Sequence, residues 1–239
     1  MGKNLRLADY EVGGGLFRTL QGYGLLLGVP TVFLRLYGCD FSCSFCDSKG
    51  TWKEGSTFTE VSVEEMAERL SKVPETWVSI TGGNPLLQAD AVVGLINLLP
   101  NKKFIVETQG SVHHPEFYQS IHFASFSPKL HDLRLSVMAE SFRTLRVRET
   151  PTQVSVVVTS DGEVHRALDT MEEIRRLWCL NPKTVYEPRL PVFYLLPEFK
   201  TGRAGVQTAM RVLQERMADG LDLEVRVLPQ VHKLALFVP

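Results

Sequence analysis

Cys39, Cys43 and Cys46 form a Cys-x-x-x-Cys-x-x-Cys array directly after the apolar segment Thr31 to Gly38. Three thiolates can hold three irons of a cubane [4Fe-4S] cluster, which leaves the fourth iron without a protein ligand and open to another molecule. The spacing therefore suggests a reactive cluster. Two other readings of these residues remain open at this level. Structural zinc usually takes four Cys or His ligands, typically as two pairs, but this segment has no second pair, and the first histidine of the chain is His113. A two-cysteine redox site would use Cys43-Ser44-Phe45-Cys46 and leave Cys39 unexplained. The fourth cysteine, Cys179, sits beside Trp178 at the end of an amphipathic helical pattern and is expected to be a small buried hydrophobe.

The elements that must position this array alternate between β-rich runs and helical periods, as in a parallel sheet wrapped by helices. Strands are expected at Thr31 to Tyr37, Thr76 to Thr81, Lys103 to Thr108, Ile121 to Phe126, Gln153 to Thr159, Pro191 to Leu196 and Leu223 to Leu228. Helices are expected at Ser62 to Val73, with Ser62 and Glu65 as a capping box, and at Gln88 to Leu99, Glu163 to Leu180 and Arg203 to Ala218. Right-handed crossovers would curl such a series into an α/β partial, open TIM-like β/α barrel with mostly parallel strands and outer helices. Ligands gather at the carboxyl ends of parallel strands. Here those ends read Gly38-Cys39, Thr81-Gly82-Gly83, Glu107-Thr108-Gln109-Gly110 and Ser127-Pro128-Lys129. Each is ordinary turn chemistry when taken singly, but four in succession predict one lined mouth.

Several further segments bear on identity: Phe17-Arg18-Thr19-Leu20-Gln21-Gly22-Tyr23-Gly24, Phe33 to Cys39, Cys46-Asp47-Ser48, Gly82-Gly83-Asn84-Pro85 and Ser127-Pro128-Lys129. With the cysteine array they resemble the radical S-adenosylmethionine (SAM) superfamily and, within it, the 7-carboxy-7-deazaguanine synthase family. The resemblance runs from about Phe17 to the last residue. It implies a [4Fe-4S] cluster, SAM bound at the open iron, a 5′-deoxyadenosyl radical, and Mg2+-dependent conversion of a carboxytetrahydropterin to a deazapurine with loss of ammonia. It carries Cys39, Cys43 and Cys46 over as cluster ligands and Ser48, where the family usually has threonine, as the magnesium residue. Phe45, Cys46, Asp47, Gly83, Asn84, Ser127, Pro128, Lys129 and the turn Leu196, Pro197, Glu198, Phe199 are expected at SAM. Leu20, Gln21, Gly22, Arg35, Thr81, Glu107, His232 and the terminal carboxylate of Pro239 are expected at the pterin. Two departures stand out: Asn84 where glutamate is frequent, and Tyr23 where the family commonly has glutamate between two glycines. The second leaves Glu107 or Glu11 to meet the polar edge of the base. Flavodoxin or ferredoxin as reductant and a homodimer follow from the resemblance alone. A glycyl-radical activase of the same superfamily, or a non-catalytic Fe-S electron-transfer protein, are the competing readings.

Composition agrees with a single domain over residues 1–239, with a cluster loop at 38–50 and a tail at 229–239 closing the pocket. The chain has 239 residues, 44% of them hydrophobic, and a net charge of -1. That excludes a disordered chain and argues against a strongly basic nucleic-acid binder. No run reaches membrane-span length, Met1 to Asp9 lacks a signal-peptide core, and clustered thiols suit a reducing cytoplasm. Lys129 to Pro151, with Arg134, Arg143, Arg146 and Arg148, is expected to be a solvated face or a dimer contact. His113, His114, His122, His131 and His165 show no ligand spacing and are expected at the surface or in satisfied core positions.

Overall fold

The computed structural model describes residues 4–9, 15–179 and 190–230. The first three strands are β1 (Asn4–Ala8), β2 (Leu16–Leu20) and β3 (Pro30–Leu36). After the cysteine loop come β4 (Phe58–Ser62) and α1 (Val63–Ser71). The chain then alternates through β5 (Trp77–Gly82), α2 (Ala89–Asn97), β6 (Lys103–Thr108), α3 (Pro115–Ser120) and β7 (Phe123–Phe126). It continues with α4 (Leu135–Val147), β8 (Thr152–Val158), α5 (Asp161–Cys179), β9 (Val192–Pro197), α6 (Gly202–Ala218) and β10 (Val225–Val227).

The strands form one sheet in the order β10-β9-β8-β7-β6-β5-β3-β1-β4, with β2 also on β3. Every pairing from β3 through β10 is parallel, while β1 and β2 run antiparallel to β3, and β4 antiparallel to β1. Among the described residues β10 and β4 stay unjoined, so the sheet is open, as expected from the alternation of elements. The central strands alternate, apolar on the face that the helices cover and more polar on the face toward the mouth, where Thr81, Glu107 and Ser155 line the wall. Val78, Ile80, Phe104, Val106, Ala124, Phe126, Val154 and Val156 are buried there, against Met66, Leu70, Val92, Leu95, Met138, Phe142, Leu168 and Met171 of the helices. Ser62 caps α1 by accepting from the Glu65 amide at 3.1 Å, as the capping-box pattern predicts.

Two expectations fail here. Lys129 to Pro151 is no solvated stretch: α4 buries Met138, Phe142 and Leu145, and the guanidinium of buried Arg146 donates to the Trp178 carbonyl at 2.8 Å. Arg143 and Arg148 do face solvent, Arg143 paired with Glu140. Cys179 is exposed rather than buried, because α5 ends there and its last apolar contact is Trp178.

Candidate active site

The site begins at the end of β3. On one side β3 pairs with β5, bringing Arg35 beside Thr81 and Leu36 beside Gly82. On the other side β2 pairs along its length, the Gly15 carbonyl accepts from the Arg35 amide at 2.7 Å, and Arg6 accepts from Tyr37 at 2.8 Å. The strand that delivers Arg35 and Cys39 is thus fixed along both edges. The strand ends are also packed against each other. A Cβ on Gly83 would lie 1.9 Å from the Gly38 carbonyl oxygen and 2.9 Å from the Cys39 Cβ, so only glycine lets the two backbones meet.

A cavity of about 410 Å³ opens at these carboxyl ends. Its wall includes Cys39, Cys43 and Cys46, and with them Phe45, Asp47, Ser48, Thr81, Gly83, Ser127, Lys129, Leu196 and Glu198. Leu20, Gln21, Gly22, Arg35 and Glu107 line it too. Four expected residues are not on this wall. Asn84 is fully buried: its amide donates to Asp40 and Ser111, each at 2.9 Å, and its oxygen accepts from the Leu86 amide and the Thr108 hydroxyl. That carbonyl has no capacity left for a ligand, and Asn84 acts as a bracket between loops. Pro128 lines a small adjoining pocket, Pro197 ends β9, and Phe199 is exposed. Glu11, His232 and Pro239 lie outside the described residues.

Polar chemistry concentrates at two places. Glu107, from the end of β6, accepts from Ser79 Oγ at 2.7 Å, Gln21 Nε2 at 3.0 Å and Tyr23 Oη at 3.2 Å. Burial, and next the Glu107 charge, push the Tyr23 phenol well up, so it stays protonated and donates. Tyr23 is held by the turn that follows it. Gly24 has φ +76°, a Cβ there would strike the Gln153 side chain, and Gln153 Oε1 accepts from the Leu25 amide. Arg35 lies with its guanidinium carbon 5.2 Å from the centre of the Phe17 ring, a planar fork braced on an aromatic face.

The second place is the cysteine loop. Burial pushes the Cys39 and Cys43 thiols up, with Asp40 adding at Cys39 and Lys129 opposing at Cys43. Such thiols lose their protons when a metal replaces them. Three soft sulfurs facing one cavity, with the only other cysteine exposed at the far end of α5, fit a cubane with one open iron. Among the described residues no three Cys, His, Asp or Glu side chains converge on a single metal ion. Gly83 itself lies on the cavity wall beside Cys39, its side-chain space taken up by the Gly38 backbone. Burial lowers the Lys129 ammonium, opposed by the thiols and Asp47, and Lys129 donates to Ser127 Oγ at 3.0 Å. Ser48 stands with its hydroxyl 3.6 Å from Cys46 Sγ.

Several site residues escape a sequence reading. Trp52 and Gln109 line the cavity beside Cys46 and Cys39, and His131 touches Cys43 from 88 residues away. Arg134, still partly exposed, reaches Asp40 at 3.4 Å. Gln230 is buried on the wall, and its Oε1 has no hydrogen-bond partner among the described residues. Gln109, in the strand end Glu107-Thr108-Gln109-Gly110, and Gln230, just before the Val231-His232-Lys233 segment, carried a local signal; Trp52 and His131 did not.

Comparison with known proteins agrees with this geometry. Residues 20–115 match a family model described as a 4Fe-4S single cluster domain. A 7-carboxy-7-deazaguanine synthase of Bacillus subtilis is 31% identical over 248 aligned positions, covering 90% of this chain and 91% of its own. One of Clostridium acetobutylicum is 28% identical over 225 positions, covering 91% and 92%. The crystal structure of QueE from Escherichia coli superposes with a TM-score of 0.66 at 22% identity, over 96% of this chain and 95% of that one.

Proposed function

The chain belongs to the 7-carboxy-7-deazaguanine synthase family, and from that premise we infer that it is a carbon–nitrogen lyase converting 6-carboxy-5,6,7,8-tetrahydropterin to 7-carboxy-7-deazaguanine and ammonia. The observation that carries this reading is that three cluster thiols and a carboxylate fixed by three donors face one cavity. When bound, the cluster and SAM supply a 5′-deoxyadenosyl radical that takes hydrogen from the substrate.

The protein's own residues position and shield. Cys39, Cys43 and Cys46 hold three irons. Lys129 and Ser127 offer a cation and a hydroxyl to the carboxylate of SAM, Phe45 and Asp47 flank it, and Leu196 and Glu198 face its adenosine. Gly83, on the cavity wall beside Cys39, offers its backbone to the methionyl end. Asn84 serves this site indirectly, by holding Asp40 and the Gly83 turn. Arg35 takes the pterin carboxylate through its fork. Glu107, with every stabilising donor on its near side already in place, accepts from the N–H edge of the base. Gln21, Thr81 and the Leu20-Gln21-Gly22 main chain complete that edge, and Gln230 adds an acceptor. Ser48 would hold Mg2+ through its hydroxyl oxygen, a hard donor suited to that cation. His232 and the Pro239 carboxylate remain candidates for the pterin, as does Glu11.

Among the described residues no helix is long and apolar enough to cross a membrane. A cytoplasmic setting, a homodimer and a flavodoxin or ferredoxin donor belong to the same reading. The test is anaerobic incubation of reconstituted protein with SAM, reductant, magnesium and the carboxytetrahydropterin, followed by mass spectrometry. The deazapurine acid and ammonia are expected; unchanged pterin beside an intact cluster would overturn the assignment.

A further inference from the structure

Each of the three cluster thiols has one side-chain nitrogen against its sulfur. Gln109 Nε2 lies 3.7 Å from Cys39, His131 Nε2 3.7 Å from Cys43, and Trp52 Nε1 3.3 Å from Cys46. A thiolate bound to iron carries no hydrogen, so its sulfur can only accept. The Trp52 indole can only donate. The Gln109 amide is oriented by a second bond from the same nitrogen to Asp40 Oδ1 at 2.7 Å, because a carboxylate also only accepts. His131 donates in the tautomer that carries its hydrogen on Nε2, and its ring is set edge-on to Phe41 and Phe45 at 5.9 and 6.4 Å.

We propose that Gln109, His131 and Trp52 form a set of three N–H donors, one for each cluster sulfur, that raises the cluster's reduction potential and so eases its loading by an electron donor. The inference rests on the cluster reading above. Reduction adds one negative charge to the cluster and spreads it over the sulfurs, so donors aimed at sulfur stabilise the reduced form more than the oxidised one. The set joins separate elements: Trp52 comes from the cysteine loop, Gln109 from the end of β6 and His131 from the segment after β7. Asp40 fixes Gln109, and is itself held by Asn84 Nδ2 at 2.9 Å and by Arg134. These residues are positioning groups that act through the ligating sulfurs.

The experiment is a redox titration of reconstituted holoenzyme, read by electron paramagnetic resonance, on the wild type and on Trp52→Phe, His131→Phe and Gln109→Met. With iron and sulfide content matching the wild type, each variant is expected to shift the reduction equilibrium about tenfold toward the oxidised cluster, about 59 mV more negative for one electron. Unchanged potentials in all three variants overturn the proposal while leaving the cluster in place. Protein that binds no iron and sulfide overturns the cluster reading itself. Should a variant fail to assemble, wild-type protein exchanged into deuterated water decides. Electron–nuclear double resonance of the reduced cluster then shows exchangeable deuterons at the sulfurs, and their absence refutes the donor set.

Discussion

At the residue scale the most informative side chain is Tyr23, which the sequence marks only as a departure between two glycines. In the folded chain its phenol meets Glu107 at 3.2 Å, beside the bonds from Gln21 and Ser79. A neutral donor here keeps one negative charge at the base edge, where a second carboxylate would repel the first. Glu107→Gln removes the charge and an acceptor, and is expected to lower kcat/KM by about 10- to 100-fold, the span of a charged hydrogen bond. Tyr23→Phe should cost less, since Gln21 and Ser79 still hold the carboxylate. Steady-state kinetics on both variants checks the order; a Tyr23→Phe loss exceeding that of Glu107→Gln would contradict these roles. The cysteines, Arg35 and Glu107 are legible in the sequence because they sit at strand ends or in one short array. Trp52 and His131 are not, and neither is the pairing of Gln109 with Cys39, since Gln109 and His131 meet their sulfurs only through sheet order, across separations of 70 and 88 residues.

At the element scale the parallel strands and the larger helices follow their apolar periods closely, with Lys103–Thr108 matching at both ends. Asn4–Ala8, Leu16–Leu20 and Phe58–Ser62 escape that reading because they are short antiparallel additions, two of them largely exposed or half-buried. Helix α4 is masked differently. Its core residues Met138, Phe142 and Leu145 are spaced as a helix requires, but arginines interleave them and suggest solvent. One of these, Arg146, reaches the Trp178 carbonyl in the last turn of α5, where a cation also suits the helix terminus. Arg146→Ala therefore strips a buried carbonyl of its donor and is expected to cost about 1–3 kcal/mol. A lower urea midpoint at unchanged slope is the signature; an unchanged midpoint would leave Arg146 without the role assigned to it.

At the scale of the whole molecule, acid should loosen the helical layer. Burial lowers His113, stacked on Tyr118, and also His122, whose Nδ1 accepts from the Phe104 amide at 3.2 Å. Both are favoured neutral in the fold. Their folded values lie below the ordinary 6.5, so the unfolded chain binds more protons as pH falls. The stability they contribute is complete above that value and declines below it. The thermal midpoint is expected to drop between about pH 7 and about pH 5, and a His113→Asn/His122→Asn double variant should show a flatter profile; parallel profiles would assign the acid sensitivity elsewhere.

The contact between Gly83 and Gly38 has a bearing on how the enzyme matures. The Gly83 amide is bonded to the Leu36 carbonyl and the Asn84 amide to that of Gly38, while Gly38 itself donates to Thr51 across the cysteine loop. Both ends of the loop are therefore tied to the sheet by backbone bonds that use no thiol. Delivery of iron and sulfide and entry of the pterin would then share one opening, because the thiols and the proposed pterin residues line the same cavity.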